Sequence, residues 1–194
     1  MSQTYQVYVP SIDDGMAQQW VARLNTLGMN AEMHPEVRIS NQSGFLPFKL
    51  TLERSAHAEL VGRAFMTGFE YYVSPFDFAT ELAAKQPKPG MLGKLFGQNP
   101  QQAALVNPQV DARLKPCRHV LQLVWGAADM FELRMAMLSA VVLAELTQGI
   151  ANYADSDLWH TGTDEVNKAL DEVIDFESSL APAELRVHPF ERWL

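Results

Sequence analysis

One cysteine in 194 residues, Cys117, has no partner for an intramolecular disulfide. Neither C-x-x-C nor H-E-x-x-H occurs, and the five histidines (His34, His57, His119, His160, His188) fall at no metal-ligand spacing, so zinc has no support. Cofactor-type glycine motifs are missing too: there is no G-x-G-x-x-G and no G-x-S-x-G. Gly90-Met-Leu-Gly-Lys94 resembles a phosphate loop only superficially, because its glycine spacing is short and Leu95 stands where a Ser or Thr would bind magnesium. Asp155-x-Asp157 opens like a calcium loop, but Trp159 occupies the next ligand position and the required glycine is absent. The expectation is a protein without metal or cofactor and without a recognisable catalytic motif.

Positive charge is also in short supply. The net charge is −8 and the pI near 5.1, which argues against general nucleic-acid binding, since phosphate neutralisation needs a basic surface. No early run reads as a signal peptide, and Met130–Leu146 is too short and too charged for a membrane span, so no membrane partner and a reducing, cytoplasmic home are expected. The charge is uneven. Residues 85–116 hold Lys85, Lys88, Lys94, Arg113 and Lys115 against Asp111 alone, whereas residues 150–194 hold ten acids and three Lys/Arg, a balance of −7. That acidic C-terminal segment serves solubility, and it also suits a basic partner protein.

With 47% hydrophobic residues, a single domain over 1–194 has ample core. The organising stretch is Arg118–Tyr153: a strand to Trp125, a turn at Gly126, a helix with Asp129 and Glu132 at capping-box spacing, Gly149 as the C′ residue, then another strand. Within Met130–Leu146 the polar residues are Glu132, Arg134, Ser139 and Glu145, and the apolar arcs between them predict a helix covered on more than one side. The chain opens similarly. Tyr5, Val7 and Val9 alternate as a strand; Ser11 and Asp14 have capping-box spacing; Met16, Ala17, Trp20, Val21, Leu24 and Leu27 form a helical stripe ending at Gly28; Met29–His34 is a second strand.

Between the two units, Phe45–Leu52 and Phe69–Val73 read as strands, and Ala56–Met66 and Phe76–Ala84 as helices. Residues 85–116 are punctuated by Pro87, Pro89, Pro100, Pro108 and Pro116 and read as a mobile or extended basic insertion, with a basic-apolar patch at Met91–Phe96. Residues 155–162 read as a loop. A last helix opens near Thr163 with Val166, Leu170, Val173, Ile174 and Glu177 inward, and Phe190 and Trp193 tie down the tail. Two βαβ units with strands between predict an α+β fold, a two-layer α/β sandwich of ferredoxin-like arrangement.

Two sets of candidate site residues follow. Trp125 and Asp129 stand where a strand end meets a helix N-terminus, and Trp159 and His160 lie in the later loop, so the four can line one pocket. His160 with Asp157 or Asp164 is the acid–base pair to test, against the plainer reading of two packing tryptophans, a cap and a loop histidine. Asp155, Asp157, Asp164 and Glu165 are the candidate partner-binding acids.

Val124-Trp-Gly126, Ala140-Val-Val-Leu-Ala-Glu-Leu-Thr-Gln-Gly149, Tyr153-Ala-Asp155 and Leu158-Trp159 resemble a group of small cytoplasmic bacterial α/β proteins of unknown function, some of which look like toxin-immunity proteins. The resemblance spans roughly residues 118–160, about a fifth of the chain, and implies a non-catalytic module that binds another protein. Two other readings stay open: a small-molecule enzyme or sensor using the cleft after Trp125, and a homo-oligomer in which a second subunit covers Met130–Leu146.

Overall fold

A computed structural model describes residues 2–85, 104–126, 130–162 and 164–193. The strands are β1 (Ser2–Val9), β2 (Ala31–Met33), β3 (Ser43–Thr51), β4 (Ala64–Pro75), β5 (His119–Gly126), β6 (Ile150–Tyr153), β7 (Leu158–His160) and β8 (His188–Pro189). The helices are α1 (Met16–Asn25), α2 (Phe78–Lys85), α3 (Pro108–Leu114), α4 (Met130–Thr147) and α5 (Glu165–Ser179). All eight strands join one antiparallel sheet in the order β2-β3-β4-β5-β1-β6-β7, with β8 paired to β4.

The first strand, β1, lies in the interior of the sheet. β5 flanks it on one side and β6 on the other, both antiparallel to it, so β5 and β6 run parallel to each other and α4 is the crossover between them. β4 divides one of its edges: Glu70–Pro75 pair with β5, while Phe65 and Met66 pair with β8. Its alternation Phe65, Thr67, Phe69, Tyr71 explains why a strand, not the expected helix over Ala56–Met66, occupies this region. Only a 3-10 turn at Ala58–Leu60 remains of that helix, closed by Gly62 at φ +73°.

One face of the sheet carries the main core. Tyr5, Val7, Phe48, Phe69, Tyr71, Leu121 and Leu123 point to α1, α4 and α5, and Trp20 of α1 packs edge-on to Phe48 at 5.6 Å between centroids. α4 is buried on nearly all sides: Met135, Ala136, Leu138, Ser139, Ala140, Val142 and Leu143 are fully inaccessible. The expectation of cover on more than one side is met within the chain. Its C-terminus is a Schellman motif in which Gly149 N–H donates to Ala144 O (2.9 Å) and Gln148 N–H to Glu145 O (3.3 Å). The left-handed C′ residue is therefore Gln148 (φ 55°), not Gly149. Gly149 has another reason to be glycine: a Cβ there would sit 2.2 Å from the Tyr8 carbonyl oxygen.

The opposite face has a smaller core of Phe76, Val110, Leu114, Cys117 and Ile150, with Tyr8 and Trp159 packed against it. α3 supplies two of these residues and lies within the stretch read from sequence as the mobile or extended insertion. Its start is built locally: the Asn107 side chain accepts from Gln109 N and Val110 N, and Pro108 follows the cap. The buried Asp111 carboxylate accepts from Leu105 N and Val106 N, both at 2.9 Å. The basic-apolar patch at Met91–Phe96 and the Asp129 cap lie outside the described residues. At the other capping box the structure differs from expectation, since α1 has no side-chain cap bond and Asp14 Oδ1 instead accepts from Ser40 N (3.0 Å).

Candidate functional site

β7, short and unexpected from sequence, settles where the candidate residues point. Successive strand residues face opposite sides of a sheet. Trp159 accordingly stacks on Tyr8 on the α3 side (5.6 Å), and His160 lies against Tyr5 on the α4/α5 side (5.7 Å). Trp125 joins His160's side, stacked between Tyr5 (5.5 Å) and Tyr153 (6.0 Å). Trp125 and His160 thus share one aromatic cluster, while Trp159 lines a different cleft with Tyr8, Phe76 and Glu81.

His160 opens onto a cleft of about 310 Å³ lined by Arg113, Glu145, Asp164, Glu165 and apolar residues of α4. Its partner is neither Asp157 nor Asp164 but Glu165: His160 Nδ1 donates to Glu165 Oε2 at 3.0 Å. Burial tends to raise the Glu165 carboxyl, but the hydrogen bonds from His160 and Lys168 outweigh it and hold that carboxyl below its usual value. With the hydrogen held on Nδ1 by the carboxylate, Nε2 is the ring atom left to act as a base. That atom is buried with no hydrogen-bond partner among the described residues. A base must reach the proton it takes, and this one faces the interior. Cys117, on the other face, is fully buried and donates to Arg113 O (3.3 Å), and burial pushes its thiol up to about 11, far from the range of a reactive thiolate. Among the described residues no three His, Cys, Asp or Glu side chains are grouped to hold a metal ion.

The four acids proposed from sequence are mostly engaged within the fold. Asp155 Oδ2 accepts from Thr4 N (2.8 Å), fastening the β6–β7 turn to the start of β1. Asp157, in the left-handed region at φ 52°, accepts from Trp159 Nε1 (2.9 Å). Asp164, also left-handed at φ 69°, accepts from the Asn167 side chain. Glu165 holds His160. Each makes a hydrogen bond within the fold; Asp155, Asp157 and Asp164 stay exposed and keep their negative charge, with neutral donors as partners.

Three further exposed acids, on the outer side of α5, were not singled out from sequence. The buried stripe of α5 is Val166, Ala169, Val173 and Glu177, which turns Asp171, Glu172 and Asp175 outward; no hydrogen bond or ion pair engages them among the described residues. Ile174, expected inside, is 41% exposed, and Phe176 is 39% exposed, one on each flank of that acidic strip. The signal was present in the spacing: Ala169 completes the i, i+3/i+4 series better than Ile174 does.

Glu177 lies on the inner stripe of α5, as its spacing predicts. It forms a bidentate ion pair with Arg134 of α4, Nε to Oε1 at 2.7 Å and Nη2 to Oε2 at 2.6 Å, with 4% and 1% side-chain exposure. His57 Nε2 donates to the Glu177 carbonyl (3.0 Å), which brings the loop before β4 onto the same point.

No family model matches this chain, no curated protein is similar to it, and no solved structure matches it.

Proposed function

We propose that this protein is a non-catalytic protein-binding module that docks a basic partner on the acidic outer face of α5, in the manner of an immunity protein neutralising a toxin. The single observation that carries the reading is the unpaired strip Asp171, Glu172 and Asp175 flanked by exposed Ile174 and Phe176. Unpaired carboxylates steer association of a basic surface, and the flanking apolar side chains supply area that loses water on docking.

The framework behind this face is a ferredoxin-like core in our reading. Supporting it are the order β4-β5-β1-β6, the parallel relation of β5 and β6 across β1, that of β1 and β4 across β5, and α1 and α4 on one face. β2, β3 and β7 then extend the sheet at its two edges. α4 is covered by its own chain, so an oligomer is not needed to bury it.

The test is affinity capture from the native lysate at low and high salt, with the natural chain and with the Asp171→Lys/Glu172→Lys/Asp175→Lys variant side by side. A stoichiometric basic protein held by the natural chain, released by salt and absent from the variant is the expected result. Identical retention by both chains would remove the acidic face from the mechanism.

A further inference from the structure

The cleft lined by Trp159 lies on the opposite side of the sheet from α5 and its acidic face. It has a volume of about 330 Å³, with Tyr8, Trp159 and Phe76 along one wall and Leu105, Val106 and Leu114 along another. We propose that this cleft binds a small organic cation, an ammonium group carried on an apolar body.

Both walls are fixed by the fold. Tyr8 stacks on Trp159 with 27° between the ring planes, and Phe76 meets Tyr8 edge to face at 4.8 Å between centroids. Trp159 is half-buried, and the bond from its Nε1 to Asp157 Oδ1 sets the direction of the indole. On the other wall, the Asp111 carboxylate accepts from the N–H groups of both Leu105 and Val106, and Lys85 Nζ donates to Leu105 O. These bonds hold the wall in place before anything enters, which lowers the ordering cost of binding. A cleft of this size belongs to the small end of ligand sites.

Charge and polarity set the occupant's chemistry. Among the described residues Glu81 of α2 is the one charged side chain that lines the cleft. It is exposed, and no hydrogen bond or ion pair engages its carboxylate among them. Lys85, one turn further along α2, is turned to Leu105 O, and Lys115 lies over the Phe78 ring (5.9 Å). The field at the cleft is negative. Burial pushes the Tyr8 phenol up to about 12, and the nearby charges that add to the shift are led by Glu81, ahead of Cys117 and Asp157. An anion would meet Glu81 and the negative faces of aromatic rings, whereas a cation gains from both. Tyr8 O–H already donates to Gln6 Oε1 (2.9 Å), and the other lining residues apart from Glu81 and Trp159 are hydrocarbon. A polyhydroxyl ligand would leave most of its hydroxyls without partners there. The body that carries the ammonium is therefore apolar.

The experiment is saturation-transfer NMR on the full chain, with affinities from titration, using benzyltrimethylammonium, benzyl alcohol, phenylacetate and methyl glucoside. Benzyltrimethylammonium is expected to bind one to one and ahead of the other three. Glu81→Gln should weaken it about fivefold, and Trp159→Leu about tenfold. Glu81→Lys should lose the cation and gain phenylacetate; because residue 81 is exposed, both of its variants keep the fold. Asp171→Lys/Glu172→Lys/Asp175→Lys should bind the cation as the natural chain does, since those charges lie beyond the sheet. Benzyl alcohol or methyl glucoside binding as tightly as the cation overturns the proposal, and so does unchanged binding by Glu81→Gln. A loss in the α5 variant equal to that in Glu81→Gln overturns it by showing general attraction to an acidic protein. Failure of the cation to bind at millimolar concentration overturns it outright.

Discussion

The two ends of α5 carry the same kind of contact in different surroundings. In the first turn Glu165 meets His160 at a cleft mouth, with 21% of the carboxylate side chain still exposed. In the last turn Glu177 meets Arg134 with both side chains almost wholly buried. Water competes for the first pair and screens it; at the second it is excluded, so each charge depends on the other. A buried pair gains little over an apolar pair of the same shape, yet losing one partner strands a charge. Arg134–Glu177 is therefore a fixture of register between α4 and α5, and His160–Glu165 is a clasp at a cleft mouth, with a buried imidazole and a partly open carboxylate.

Removing a partner at the buried end should have the largest effect. Glu177→Ala is expected to cost about 3–5 kcal/mol in urea unfolding, because the Arg134 guanidinium stays buried without its counter-charge. The double variant Arg134→Met/Glu177→Leu should recover most of that loss. If it is as unstable as the single variant, the pair contributes more than the avoidance of a stranded charge, and the contrast drawn here weakens.

At the cleft-mouth end, His160→Ala should cost about 1–2 kcal/mol by the same measurement, since Glu165 keeps water and Lys168 as partners. A loss as large as that of Glu177→Ala would erase the difference between the ends.

The third effect depends on pH. Glu165 has its folded carboxyl value lowered, so its contribution to stability is present above the unfolded value of about 4.3 and fades as pH falls through the lower folded value. Glu165→Gln should flatten that acid limb of the stability curve and leave neutral-pH unfolding closer to the parent. An unchanged acid limb would show that the clasp is not coupled to folding.

The smallest effect on stability belongs to the middle of the helix. Asp171→Lys/Glu172→Lys/Asp175→Lys changes the net charge from −8 by +6, to −2, and should shift stability by no more than about 0.5 kcal/mol per site. A larger loss would mean that the strip is part of the fold and not a surface kept for a partner.

These comparisons also mark what could be read in advance. The alternation Tyr5, Val7, Val9 and the apolar arcs of Met130–Leu146 placed β1 and α4 from periodicity alone, because burial on one face or all round leaves its mark on every residue of an element. The Asn107-Pro108 start of α3 was equally local and was overlooked among the surrounding prolines. β7 was not legible: a strand of three residues has too few alternations to register, and its pairing with β6 comes from the sheet.

The candidate site divides in the same way. Residue order and composition alone determined that residues 150–194 are acidic, that Cys117 has no disulfide partner within these 194 residues and that they contain no zinc or dinucleotide motif. Only the tertiary structure decided which acids are engaged. Asp155, Asp157, Asp164 and Glu165 look the most available along the chain, yet each finds an N–H within reach once β6, β7 and α5 are in place. Glu177 reads as inward from its spacing, but its partner appears only when α4 brings Arg134 to it. Charge is a property of the residue and can be counted from sequence. Where that charge sits depends on neighbours. For Asp157, Asp164 and Glu165 they are near ones, turned inward or outward by β7 and α5. For Asp155 and Glu177 they are distant ones, because Thr4 and Arg134 arrive only when the sheet and its helices close.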